Sequence, residues 1–141
     1  FSWAAAVVET EIDLVDYEPR VRGVWLSVDG GHILSERKAR SSLEVATLHA
    51  LGWATHETIA LHEGAVSTND ALSYPISVPA EAPPITVDFT WTDAVTPKGI
   101  GELPFACVPA AFAQAVSQAT GTSFDELPIG AAAVRDALED V

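Results

Sequence analysis

Ile85-Thr86-Val87-Asp88-Phe89-Thr90-Trp91-Thr92 is the stretch from which the rest of the chain is read. Ile85, Val87, Phe89 and Trp91 point one way and Thr86, Asp88, Thr90 and Thr92 the other, the period-two pattern of a strand with one buried face. Trp91 is assigned to the core on that face. Upstream, Ala6, Val8, Thr10 and Ile12 alternate with Val7, Glu9, Glu11 and Asp13 and predict another strand. Val24, Leu26 and Val28 resume the alternation until Asp29-Gly30-Gly31 stops it. Asp16 and Pro19 favour a turn between these two strands, and so short a loop predicts an antiparallel pair.

Between and after the strands the spacing becomes helical. Ser35 suits an N-cap for a helix that starts at Glu36 and runs into the mid-fifties, with Leu43, Ala46, Ala50 and Trp53 at helical spacing. Residues 64–84 are rich in Ser, Asn, Gly and Pro, and Pro75, Pro79, Pro83 and Pro84 each remove a backbone donor, so a long surface excursion is expected. After a loop over 95–104, Pro109 fits the first turn of a second helix. Val108, Phe112, Ala115 and Ala119 share a face of it, and Gly121 is its natural stop. A last helix over about 131–138 buries Val134 and Leu138, and the acids Glu126 and 136–140 read as a solvated face. Strands and helices in this order, without repeats, predict an α+β fold in which a mixed or antiparallel sheet packs against helices. At 141 residues the chain 1–141 has room for one domain.

Charge and cysteine content exclude several function classes. Against 20 Asp and Glu stand only 7 Lys and Arg, and a net charge of −13 repels nucleic-acid backbones and anionic membranes alike. Apolar stretches such as residues 4–8 fall far short of the roughly 20 residues that span a bilayer. A soluble, cytoplasmic protein is expected. The single Cys107 can form neither an internal disulfide nor an iron-sulfur site, which takes about four thiolates. No methionine occurs, even at position 1, and Phe1-Ser2-Trp3 opens on a strand already under way, as in a piece of a longer protein.

The segment Thr96-Pro97-Lys98-Gly99-Ile100-Gly101-Glu102-Leu103-Pro104 is the most informative for chemistry. Gly99 and Gly101 allow backbone conformations and close approaches that a Cβ would forbid, so Glu102 can be presented against something bulky. A carboxylate so placed can act as a general base, typically worth about 10² to 10⁴ in rate. The plainer alternative is that the glycines make a turn and Glu102 sits at a helix start, where an acid complements the helix dipole.

This segment, followed by the helix over 108–120 and by Leu127-Pro128, resembles the end of the molybdopterin-binding large subunit of molybdenum hydroxylases of the xanthine dehydrogenase and aldehyde oxidoreductase type. That family shows a Gly-Val-Gly-Glu-Pro-Pro-like loop, an Ala-rich helix ending in Ala-Thr-Gly, and a Leu-Pro before its last helix. Ala6-Val7-Val8-Glu9-Thr10-Glu11-Ile12-Asp13 is similar to its Glu-Val-Glu-Val-Asp strand, and Val28-Asp29-Gly30-Gly31 to its Val-Asp-Val-Gly turn. Nearly the whole chain is covered, in the right order.

The resemblance implies a molybdopterin-binding domain of this type, with a molybdenum-molybdopterin cofactor and Glu102 as the catalytic base. Gly99, Ile100 and Gly101 would meet the cofactor, and Ser41 and Ser42 could donate hydrogen bonds to a phosphate or pterin edge. It also implies oxidation of a purine or related N-heterocycle by water-derived hydroxylation, with aldehydes as a second substrate class. Iron-sulfur clusters and FAD would sit on partner chains, the upstream segment would complete the site, and this piece would be inactive without it. One stretch departs from the family. Where it has Gly-Gln-x-Glu-Gly-Gly-x-x-Gln-Gly, this chain reads Ser41-Ser42-Leu43-Glu44-Val45-Ala46-Thr47-Leu48-His49-Ala50, and only Glu44 matches. A non-catalytic interaction domain that kept the fold is therefore the competing reading.

The histidines and the other tryptophans carry less. His49 and His56, seven apart on one helix, lie roughly 10 Å apart along its axis, too far to share a metal. His32 and His62 are expected at the surface. Trp3, Trp25 and Trp53 are expected in the core or in subunit contacts.

Overall fold

The computed structural model describes residues 1–70, 72–90 and 94–139, the side chain of Glu81 excepted. Three strands form its main sheet, β1 (Trp3–Ile12), β2 (Pro19–Asp29) and β5 (Ile85–Phe89), in the order β1-β2-β5. β1 and β2 are antiparallel, with Val7 opposite Trp25 and Trp3 opposite Asp29, and one register shift between Glu9 and Thr10. β5 joins β2 in parallel, Leu26 opposite Val87, which makes the sheet mixed. The expected strand alternation holds in β1, where Val8 is buried and Val7 exposed, and in β2, where Val24, Leu26 and Val28 are all buried. Trp91, Thr92 and Asp140 lie outside the described residues.

α1 (Glu36–Thr55), α2 (Leu103–Thr120) and α3 (Ala131–Glu139) supply the helical layer. Ser35 occupies the N-cap of α1 with extended backbone, but its hydroxyl makes no capping bond. α1 buries Leu43, Ala46, Ala50, Leu51 and Ala54, while Trp53 is 46% exposed and so stands off the core face to which its spacing assigned it. In the surface excursion β3 (Leu61–His62) and β4 (Ala65–Val66) make a two-residue hairpin, and Pro79–Glu81 a single 3-10 turn. That stretch is otherwise irregular, as its prolines require.

The start of the second helix differs from the sequence expectation. Pro104, not Pro109, takes the first turn, and Pro109 lies inside α2 and buried. The helix thus begins six residues before Pro109, directly after Glu102. Its buried face runs through Val108, Phe112, Val116 and Thr120, with Ala119 exposed. Gly121 ends it in left-handed backbone (φ 77°), donating its N–H to the Ser117 carbonyl at 2.9 Å. Leu43 of α1, Phe112 of α2, Val24 and Val87 of the sheet, Ile129 and Val134 meet in one core. Leu138 packs partly buried at its edge.

Candidate functional site

The loop that precedes α2 is held against the end of β2 by its backbone. The Lys98 N–H donates to the Gly30 carbonyl at 2.9 Å, and the His32 N–H to the Thr96 carbonyl at 3.2 Å. Gly31 and Pro97 form an antiparallel bridge between them. Gly31 has φ +64°, and a Cβ there would lie 2.4 Å from the Thr96 carbonyl oxygen, so both conformation and space demand glycine. A Cβ on Gly30 would lie 2.8 Å from Ile100 Cγ2, so Ile100 packs directly on that backbone. At the other edge the Ser2 hydroxyl donates to the Gly99 carbonyl at 2.6 Å.

One ion pair reinforces these bonds. Lys98 Nζ lies 2.6 Å from Asp29 Oδ2, with each side chain about one quarter exposed (26% and 25%). Asp29 Oδ1 accepts from the Gly31 N–H at 3.0 Å. Lys98 first, and the Gly31 N–H second, hold the Asp29 carboxyl below its ordinary range.

Gly99 and Gly101 contrast with Gly30 and Gly31. Neither has positive φ, and a Cβ built on either meets no atom within 4 Å. Glu102 follows as the N-cap residue of α2, exposed, and its carboxylate makes no capping hydrogen bond. It lines an open groove of about 650 Å³ with Trp53, Glu57, Phe105 and Ala106. The Trp53 and Phe105 rings lie near each other there, centroids 6.5 Å apart and planes tilted by 41°. Of the two carboxylates in this groove, Glu57 is tied by the Tyr74 hydroxyl at 2.8 Å. Glu102 is the more exposed of the two, and its carboxylate makes no cap hydrogen bond to α2.

Ser41 and Ser42 stand elsewhere. Both are exposed, and Ser41 lines a separate groove with Glu36, Arg37, Arg40 and Glu44. The structure therefore brings Gly99, Ile100, Gly101 and Glu102 together on one fixed loop and leaves the two serines over the first turns of α1. Arg40 anchors those turns to β5, donating to the Val87 carbonyl, pairing with Glu36 at 2.8 Å and lying 5.5 Å from the Phe89 ring centroid. His32, His49, His56 and His62 are all exposed. Among the described residues no group of three or more His, Cys, Asp or Glu is arranged to hold a metal ion. Cys107 is half-buried and its thiol is pushed up by that burial, so it is no ready nucleophile. The residues that sequence reasoning missed are Asp29 and Lys98, whose pairing spans 69 positions and leaves no local signal.

No helix among the described residues is long and apolar enough to cross a membrane. Comparison with known proteins adds the family. Residues 1–83 match the molybdopterin cofactor-binding domain. The chain is 31% identical over 137 residues to a nicotinate dehydrogenase subunit of Pseudomonas putida, covering 97% of this chain and 12% of that protein. It is 33% identical over 147 residues to the molybdenum-binding subunit of aldehyde oxidoreductase from Escherichia coli K12, covering 99% and 20%. It thus spans at most about one fifth of the length of these relatives. In structure it resembles quinoline 2-oxidoreductase from Pseudomonas putida 86 (TM-score 0.83, 22% identity, 93% of this chain and 18% of that one). It also resembles the Cu,Mo-CO dehydrogenase (TM-score 0.88, 19% identity, 99% and 18%). With 83 of its 141 residues matched, and the α+β fold shared, the chain belongs to the molybdopterin cofactor-binding domain family of the molybdenum hydroxylases.

Proposed function

We propose that this chain closes one side of the molybdopterin site of a molybdenum hydroxylase, with Glu102 as general base and the backbone of Gly99, Ile100 and Gly101 facing the cofactor. The observation that carries this reading is the open space over Gly99 and Gly101 on a loop otherwise fastened at Asp29, Gly30 and Ser2. Neither glycine is required by the fold of this chain, whereas both suit the close approach of a second body. The residues present thus fit such a cofactor, which when bound supplies the two-electron chemistry of a hydroxylation.

The chain's own part is to hold and move a proton. The Glu102 carboxylate stands free of its helix and takes the proton of the water-derived oxygen as that oxygen attacks the substrate carbon. The loop fixes where this carboxylate stands, and the Trp53 and Phe105 rings wall one side of its groove. A contact from Ser41 or Ser42 would need the cofactor to reach the separate groove on α1. The remaining length of the subunit, and iron-sulfur and FAD partners, would complete an enzyme that this piece cannot form alone.

The substrate proposed is an N-heterocycle, purine or related, since a ring carbon beside nitrogen is polarised for nucleophilic attack. The nicotinate dehydrogenase relative, with a heterocycle in its name, supports that choice. An aldehyde is the second reading, favoured by the 33% identity to the aldehyde oxidoreductase protein. Glu102→Gln in the assembled enzyme tests the base directly, because it keeps size and hydrogen bonding but removes the proton acceptor. Turnover should fall by at least about a hundredfold with molybdenum content unchanged. Near-normal turnover would remove the assignment.

A further inference from the structure

We infer that the Asp29–Lys98 ion pair is a positioning clasp that holds the loop over residues 96–102, and with it Glu102, at a fixed place relative to the sheet. The inference rests on the reading of Glu102 as base and adds to it the residues that aim it. Three observations support it. Asp29 ends β2, the central strand of the sheet, and lies opposite Trp3 of β1, so its carboxylate is carried by a hydrogen-bonded strand. That carboxylate is engaged twice, by Lys98 Nζ at 2.6 Å and by the Gly31 N–H at 3.0 Å, which fixes its orientation as well as its position. Lys98 in turn is joined to the same turn through its own N–H, at 2.9 Å from the Gly30 carbonyl, four residues before Glu102.

A loop with glycine at 99 and 101 needs such a fastening. Two glycines leave the backbone free to sample many conformations, and a base that wanders by about 1 Å can lose on the order of a hundredfold in rate. Asp29 and Lys98 do not line the groove of Glu102, so they act on proton transfer without touching the molecule that would occupy it. The carboxyl of Asp29 lies below its ordinary range because of Lys98 and the Gly31 N–H, so it stays ionised throughout the neutral range.

The test uses the assembled holoenzyme and two variants, Asp29→Asn and Lys98→Met, each read by hydrogen exchange and by steady-state kinetics. Exchange of the segment 96–102 should quicken by about tenfold in both, while the β2 segment around Val24 keeps its protection. kcat should fall by about tenfold with KM and molybdenum content unchanged, and the double variant should lose no more than the worse single one. Lys98→Arg, which keeps the charge, should recover most of both losses. Undiminished protection of 96–102 in both variants, or faster exchange with kcat unchanged, would overturn the clasp. Failure of the base assignment shows differently, as a Glu102→Gln enzyme with near-normal turnover beside clasp variants whose loop still exchanges faster.

Discussion

Four glycines within the site divide into two kinds, and the division is testable at single residues. Gly31 is required by its own chain, through φ +64° and the Thr96 carbonyl that a Cβ would meet at 2.4 Å. Gly101 has neither constraint. Gly31→Ala should therefore destabilise the fold by more than about 1 kcal/mol. Gly101→Ala should change folding stability by at most about 1 kcal/mol, yet lower molybdenum occupancy or activity sharply if the added methyl enters the space proposed for the cofactor. Thermal melting and molybdenum content measured on one Gly101→Ala preparation decide the matter, and a stable, loaded and active variant would contradict it. The access role proposed for Gly99 and Gly101 could be framed from the sequence, because it follows from the chemistry of glycine and from the acid beside them. The roles of Asp29, Gly30 and Gly31 were legible only as a strand stop, since their partners Lys98, Ile100 and Thr96 lie far along the chain.

At the scale of elements, alternation placed β1, β2 and β5 correctly, and helical spacing placed α1, which runs over Glu36–Thr55 as expected. The start of α2 was misplaced because two prolines, Pro104 and Pro109, satisfy the same first-turn rule and local sequence does not choose between them. Packing chooses. Starting the helix at Leu103 turns Pro104, Val108, Phe112 and Val116 to the core, whereas the face through Ala119 points to solvent. The shift matters for the site, since it makes Glu102 the residue at the helix start, the place that the plainer reading of the loop gave it. Phe112, fully buried where α1, α2 and the sheet meet, should then be the keystone of the helical layer. Phe112→Ala should cost about 3–5 kcal/mol, measured by denaturant unfolding, and a loss under about 1 kcal/mol would contradict the burial described. The parallel pairing of β5 with β2 was not readable, because a run of alternating residues does not tell which neighbour it takes or in which direction.

Over the whole molecule, the helices cover one face of the sheet and leave the other with Trp3, Val7 and Trp25 exposed at 70%, 63% and 44%. Those tryptophans are therefore not core residues of this chain. The chain spans between 12% and 20% of relatives that carry nicotinate dehydrogenase and aldehyde oxidoreductase in their names, and the larger assembly is part of the proposal. What the sequence made legible was the family, through motifs in order along nearly the whole chain. The departure at Ser41, Ser42 and Val45 was equally visible, and the fold shows why it did not disturb the domain: all three are exposed on α1 while Leu43, Ala46 and Thr47 between and beyond them stay buried. The most direct test is the molybdenum and pterin content of the native assembly purified with this chain. About one molybdenum and one pterin per copy is the predicted result, and an intact assembly free of both would contradict a molybdopterin site closed by the Gly99–Glu102 loop.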